Sequence, residues 1–141
     1  QLFSLYNEIL QKLLRIKAYN EDYQNNNSFK NLIFKINSNK VKFYEIGILA
    51  RKVMELLLRE MTGLTNSSSL FEQINYLKAN NNVANWMTSY LHILKNLSNY
   101  AAHEANPATI PFSINEKDRI IFSHLFNRFL EFYLDFKRKT N

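Results

Sequence analysis

Residues 41–63, VKFYEIGILARKVMELLLREMTG, decide the fold class of this chain. Apolar side chains recur there at every third or fourth position, the spacing that places them on one face of an α-helix. This apolar face comprises Phe43, Ile46, Ala50, Val53, Met54, Leu57 and Met61. Gly63 follows the last of them, and glycine commonly ends a helix at this position. The stretch therefore predicts an amphipathic helix over residues 41–62.

The same periodicity recurs on both sides of that helix. It predicts long helices over residues 2–19, 83–103 and 114–138. A short helix is expected to begin at Ser69, because Ser69 and Glu72 have the spacing of a capping box. Ser113 and Glu116 repeat that spacing before the last helix.

Few residues are available for the turns of a β-protein. The chain contains 2 Gly and 2 Pro, whereas a sandwich or barrel needs many tight turns. Residues 29–36 form a short apolar run that fits a helix or a strand equally well. The sequence therefore predicts an all-α fold, a bundle of four or five helices.

A polar stretch near the N-terminus suggests a boundary. Residues 20–28 include Asn25, Asn26 and Asn27 and are low in complexity, which is typical of a loop. We therefore expect an N-terminal helix and an Asn-rich loop over residues 1–27, followed by a helical domain over residues 28–141.

Composition limits the class of protein. The 141 residues suffice for one domain, and the absence of Cys excludes disulfides and thiolate chemistry. The formal net charge of +6 favours RNA, DNA, an anionic membrane or an acidic partner, although a bias toward Asn, Lys and Ile codons would also produce it. No apolar run is long enough for a transmembrane helix, and the N-terminus does not have the features of a signal peptide. We expect a cytoplasmic protein that does not bind a membrane. The missing initial Met suggests a piece of a longer chain.

Two side chains near the end of the 83–103 helix form the first candidate site. Asn99 and His103 are four residues apart, so they lie on one helix face and can contact the same ligand or each other. Ala101 and Ala102 keep that face shallow. The alternative is a His that caps its own helix while Asn99 bonds a loop.

Arg51 and Glu55 form a second candidate on the 41–62 helix. Their spacing of four residues is that of an exposed ion pair, worth about 0.3–0.5 kcal/mol. Apolar neighbours also allow partial burial, in which case the pair could anchor Asn99 or His103 across the bundle. The sequence then predicts a structural polar network of Arg51, Glu55, Asn99 and His103.

The remaining motifs are interpreted as structural. Trp86 and the aromatic residues at helical spacing are expected in the core. His92 and His124 have no second His or carboxylate one turn away, so we expect no metal site and no cofactor. The aromatic residues of the last helix are expected to meet either the N-terminal helix or a partner.

Two segments carry a resemblance to a known family. Ala50-Arg51 with Glu55, followed later by Asn99, Ala101, Ala102 and His103, resembles the pattern A-R-x-x-x-E … N-x-A-A-H. That pattern is similar to a prokaryotic helical domain of unknown function that accompanies restriction subunits and other defence proteins. The domain belongs to the HEPN superfamily (higher eukaryotes and prokaryotes nucleotide-binding domains). The resemblance covers residues 40–138 and implies a HEPN-like bundle.

The resemblance also implies what a catalytic member would need. Active HEPN ribonucleases place an Arg before the His with four to six residues between them, and a dimer combines the two groups without metal. Here residues 96–98 are Asn, Leu and Ser, and Lys95 lies one position too far from His103. Losing a phosphate-binding charge at such a site costs orders of magnitude in rate. The sequence is therefore closer to the non-catalytic members.

These observations leave three functional hypotheses. We favour a non-catalytic, HEPN-like interaction module of a larger defence or nucleic-acid-processing protein, forming a homodimer or binding a partner domain. A metal-independent endoribonuclease with a composite dimer site would use His103, Asn99 and Lys95. A basic nucleic-acid-binding domain would use five cationic side chains, which are Lys35, Lys40, Lys42, Arg51 and Lys52.

Overall fold

The structure is a computed structural model that describes residues 2–36, 38, 40–65, 68–103 and 114–140. Within those ranges, the side chains at positions 2, 3, 22, 25, 26 and 101–103 lie outside the description. Every element of regular structure in the described residues is an α-helix, which confirms the predicted all-α class.

Seven helices are present in the described ranges, more than the four or five that the sequence predicted. They are α1 (Leu2–Leu13), α2 (Lys17–Asn26), α3 (Ser28–Ile36), α4 (Phe43–Thr62), α5 (Leu70–Asn80), α6 (Asn85–His103) and α7 (Glu116–Thr140). The run over residues 29–36, which fitted a helix or a strand, is helical.

The additional helices come from the N-terminal region. The predicted single helix over residues 2–19 is divided between α1 and α2. The predicted loop over residues 20–28 is wrong, because residues 20–26 belong to α2 and Ser28 begins α3. Buried Tyr19 explains the difference, because its hydroxyl accepts the backbone N–H of Phe29 at 3.1 Å and ties α2 to α3. Asn27 links the two helices at φ 54°, a left-handed conformation that Asn tolerates. The domain boundary proposed at residue 28 stays a prediction.

Two predicted helix ends are confirmed, at Gly63 and at Ser69. Gly63 has φ 72° and its N–H bonds to the carbonyl of Arg59, which ends α4. Ser69 accepts the N–H of Glu72, and the Glu72 carboxylate accepts the N–H of Ser69, so the capping box is complete. Ser113 lies outside the described residues. Asn115 precedes α7, and its side chain accepts the N–H of Lys117 at 2.9 Å.

Polar contacts at both ends fix the directions of the long helices. Arg119, near the start of α7, bonds to the carbonyl of Val41 just before α4, and Lys137 pairs with Glu60 at 3.4 Å near the end of both helices. Therefore α4 and α7 run in parallel. Ala84, Trp86 and Met87, around the start of α6, line the same groove as the end of α7. Therefore α6 runs antiparallel to α4 and α7. Asn99 then lies at the end of the bundle where α4 and α7 begin.

The core lies between these three helices and is closed by the shorter ones. Its fully buried apolar residues include Ile9, Leu13, Tyr19, Leu32, Ile46, Ala50, Val53, Met54, Leu57, Leu58, Ile74, Leu77, Leu91, Leu94, Phe122, Phe126, Phe129 and Leu130. The N-terminal helix contacts α7, where Tyr6 donates its hydroxyl to Asn127 at 2.7 Å.

Not all predicted core residues are buried. The core prediction for Trp86 is wrong, because 56% of this side chain is exposed. Helical spacing alone cannot distinguish two apolar faces on one helix. Among the described helices, none combines the length and the apolar character needed to cross a membrane.

Candidate functional site

The predicted pair on α4 forms as expected from its spacing. Arg51 Nε donates to Glu55 Oε1 at 3.1 Å, and Arg59 approaches the other oxygen of the same carboxylate at 3.9 Å. The side chains of Arg51 and Glu55 are each about one third exposed. All three groups lie on one side of α4, so the contacts seen for this pair are within a single helix.

Asn99 is the second member of the predicted network. Its side-chain oxygen is buried, and no donor among the described residues reaches it. A buried oxygen of this kind costs free energy until a donor satisfies it. α6 ends at His103, but the His103 side chain lies outside the description. The link from Arg51 and Glu55 to Asn99 and His103 therefore stays a prediction.

Lys95, the cation closest in sequence to the candidate His, faces α5. Its Nζ lies 5.1 Å from the centre of the Phe71 ring, a cation–π contact. The His92 ring lies 5.8 Å from the same Phe71 ring. The structure therefore brings Lys95 together with His92 and Phe71.

Arg119 is the arginine that sequence reasoning missed. It is 7% exposed, and its guanidinium donates to the carbonyls of Lys35 (3.0 Å), Ser38 and Val41. These carbonyls belong to the end of α3 and the connection to α4, so one cation satisfies acceptors that the helix end leaves free. Its place on the buried face of α7, three residues before Phe122, is the signal that could have identified it.

The five cationic residues predicted to bind nucleic acid lie on α3, on α4 and in the connection between them. Lys35 ends α3 and pairs with Glu45 at 3.5 Å, while Lys40 and Lys42 are exposed in the connection to α4. Arg51 and Lys52 lie further along α4, where Glu55 partly neutralises Arg51. The five side chains thus extend from α3 through the connection to the third turn of α4, and glutamates pair with two of them.

An uncharged stripe on the outward face of α6 is the main feature that the sequence analysis overlooked. We call it the α6 stripe, and it comprises Trp86, Ser89, Ile93, Asn96 and Tyr100. All five side chains are exposed, and the three large ones are apolar or aromatic. The opposite face of α6 is buried through Met87, Leu91 and Leu94. The sequence signal for the stripe is an excess of apolar residues over positions 86–100, which indicates two apolar faces on one helix.

A groove of about 1110 Å³ lies where α1, the start of α6 and the end of α7 meet. Apolar residues such as Leu5, Met87 and Phe132 line it, and charged residues of both signs surround them. Trp86 contributes to this groove as well as to the α6 stripe.

Two pKa shifts among the described residues arise mainly from the burial of side chains between packed helices. Burial raises the pKa of Tyr133 to about 12, and the nearby Glu60 charge acts in the same direction. Burial, together with Lys95 and Lys78, lowers the pKa of His92 from its ordinary 6.5. No group of three His, Cys, Asp or Glu side chains comes together in the part of the chain that the structure describes.

Comparisons with known proteins identify a family. No curated protein and no solved structure matches the chain. A family model described as "Domain of unknown function (DUF4145)" matches residues 35–141, which include α4 to α7 and the segments with the Arg51 and His103 motifs. Because the match covers about three quarters of the sequence, the chain belongs to the DUF4145 family.

Proposed function

We propose that this chain is a non-catalytic interaction module that forms a homodimer through the α6 stripe. In this proposal the helical bundle is HEPN-like, and the module is part of a larger prokaryotic defence or nucleic-acid-processing protein in the cytoplasm. The resemblance of the Arg51 and His103 segments supports the superfamily and the setting. The α6 stripe supports the interaction.

The order of side chains in the α6 stripe is the observation that carries the homodimer. Trp86 and Tyr100 lie seven residues before and after Ile93, with Ser89 and Asn96 between. The stripe is therefore almost palindromic: aromatic, small polar, isoleucine, small polar, aromatic. Seven residues of helix rise about 10 Å, so the aromatic side chains are placed symmetrically about Ile93.

A palindromic stripe can pack against a second copy of itself. In a two-fold dimer each residue i that contacts j is matched by j contacting i. When two α6 helices pack antiparallel with the axis at Ile93, Trp86 of one copy meets Tyr100 of its partner. The stripe has no charged residue, which favours this face for self-association, because a protein with net charge +6 repels its own copies elsewhere.

Sedimentation velocity over a concentration series tests this proposal. At about 100 μM protein, a contact worth only about 5.5 kcal/mol already gives half dimer. Ile93→Glu places two carboxylates at the axis, and we expect it to weaken the dimer at least tenfold. The matched control is Ile121→Glu on α7, since the two isoleucines are similarly exposed, at 42% and 50%.

The single Trp provides an independent signal. Trp86 is half exposed in the monomer, so its emission should shift to shorter wavelength as the dimer forms. A wild-type chain that stays monomeric, or a dimer that Ile121→Glu breaks as readily as Ile93→Glu, would contradict the proposal.

The non-catalytic part has its own support and its own test. Arg119 is buried and bonded to three carbonyls, so this cation is not free to hold a scissile phosphate in this arrangement. Lys95 lies over Phe71, about two helical turns before His103. We expect incubation with single-stranded RNA to show no cleavage that depends on His103. Cleavage by the wild type that His103→Ala abolishes would establish the ribonuclease alternative instead.

A further inference from the structure

The contact between α5 and α6 contains an exposed aromatic ring surrounded by basic side chains. Phe71 is 54% exposed at the start of α5. The Lys95 Nζ lies 5.1 Å from its ring centre, and the His92 ring lies 5.8 Å away at 48°. Lys78 is on the same side of α5 as Phe71, two turns later, and close enough to His92 for its charge to act there. We call these four residues the α5–α6 cluster.

Within the described ranges, no carboxylate forms an ion pair with the lysines of this cluster. The ion pairs seen among the described residues involve other cations and leave Lys78 and Lys95 without an acidic partner. Glu72, which neighbours Phe71 in sequence, binds the Ser69 backbone in the capping box. The two lysine charges and the exposed ring therefore remain available to a ligand.

We propose that the α5–α6 cluster binds single-stranded nucleic acid. A nucleobase would stack on the Phe71 ring while Lys78 and Lys95 contact phosphates on either side. Stacking of a base on an aromatic side chain stabilises a complex by about 1–3 kcal/mol and is nearly independent of sequence. A duplex keeps its bases stacked inside, so only an unpaired strand can offer one to Phe71. This site differs from the lysines before and along α4 that the sequence predicted.

The α5–α6 cluster is separate from the α6 stripe that the homodimer uses. His92 and Lys95 point toward α5, whereas Ile93 and Asn96 point outward. Binding and self-association can therefore be measured on different variants, and the failure of one does not imply the failure of the other.

Fluorescence anisotropy with labelled oligothymidylate and oligouridylate of about ten nucleotides tests the site, since that length matches common single-strand sites. We expect binding at low salt that weakens as salt increases. Phe71→Leu should weaken it about tenfold without changing the salt dependence. The slope of log K against log salt is negative. The double variant Lys78→Gln/Lys95→Gln should make it less steep by about 1.4, or 0.7 for each lost phosphate contact.

Matched controls separate the site from general attraction to a basic protein. Phe34→Leu changes another exposed phenylalanine, on α3, and Lys17→Gln/Lys117→Gln removes two exposed charges from α2 and α7. We expect both controls to bind within twofold of the wild type. Binding of either oligonucleotide with this pattern supports the proposal, and the stronger one identifies RNA or DNA.

Three results would overturn it. The first is no binding of either oligonucleotide at low salt. The second is an equal loss of affinity in Lys78→Gln/Lys95→Gln and Lys17→Gln/Lys117→Gln, which would mean that binding depends only on the net charge of the protein. The third is stronger binding of a labelled oligoglutamate that also requires Phe71, which would assign the cluster to an acidic peptide. Circular dichroism of each variant verifies that its helices are retained.

Discussion

The outward faces of α6 and α7 differ although both helices bury an apolar face in the same core. The α6 stripe contains no charged side chain over five exposed positions. The outward face of α7 is mostly charged and includes two ion pairs, Arg128–Glu131 at 3.5 Å and Lys139–Asp135 at 3.0 Å. Charged side chains keep α7 solvated and contribute little to stability. The α6 stripe has no such charges, which is why we propose it as the surface for a second copy.

The inward face of α7 contains a charge whose purpose is different. Arg119 lies among the aromatic residues of the core and joins α7 to the α3–α4 connection. Charge on α7 is thus structural where it is buried and dispensable where it is exposed. The following predictions test this contrast, beginning with the largest effect.

Arg119→Met should lower the free energy of unfolding by about 3 kcal/mol. The substitution removes the guanidinium from three partly buried carbonyls, of which, among the described residues, only that of Lys35 keeps another donor, the Ser38 N–H. Each unsatisfied group costs about 1–3 kcal/mol, partly recovered through water. Urea denaturation measures the change. Arg128→Met on the outward face is the control and should cost less than about 0.5 kcal/mol. Equal losses in the two variants would remove the distinction between the faces.

Tyr133→Phe should make the protein more resistant to alkali. Burial, with a smaller effect of Glu60, raises the pKa of Tyr133 from 10.0 to about 12. The unfolded chain releases this proton near pH 10, so the stability that the neutral phenol gives is lost as pH rises from 10 to 12. The full loss over these two pKa units is about 3 kcal/mol, of which about half has developed by pH 11. Urea midpoints at pH 8 and pH 11 measure it, and an unchanged loss in the variant would contradict the burial of this face of α7.

Tyr6→Phe should cost about 1 kcal/mol by removing the bond from α1 to Asn127 on α7. This bond marks the side of α7 that the N-terminal helix covers, whereas no described element covers the α6 stripe. Tyr44→Phe, at an exposed tyrosine of α4, is the control and should be neutral. If Tyr6→Phe is also neutral, the contact between α1 and α7 is not stabilising.

The sequence predicted those parts of the fold that depend on local chemistry. The α4 apolar face, the Gly63 helix end and the Ser69 capping box follow from nearby residues, and all are confirmed. The predicted loop over residues 20–28 is wrong because Tyr19 and Phe29 meet through a hydrogen bond that the polarity of the intervening residues does not indicate.

The candidate site shows the same limit. The spacing of Arg51 and Glu55 correctly predicted a contact within one helix. Arg119 was missed because its acceptors are backbone carbonyls about 80 residues away in sequence. Trp86 was assigned to the core because periodicity shows that a helix has an apolar face, but not whether a second apolar face is covered.

The smallest expected effect concerns the two isoleucines that define the contrast. Ile93→Glu and Ile121→Glu should each change the unfolding free energy of the monomer by less than about 0.5 kcal/mol, because both positions are about half exposed. Urea denaturation at concentrations below dimer formation measures this. The comparison then depends on association alone: similar monomer stability with a tenfold difference in dimer affinity means that Ile93 contacts a partner. A large loss of monomer stability in Ile93→Glu alone would instead mean that α6 uses this face to pack within its own chain.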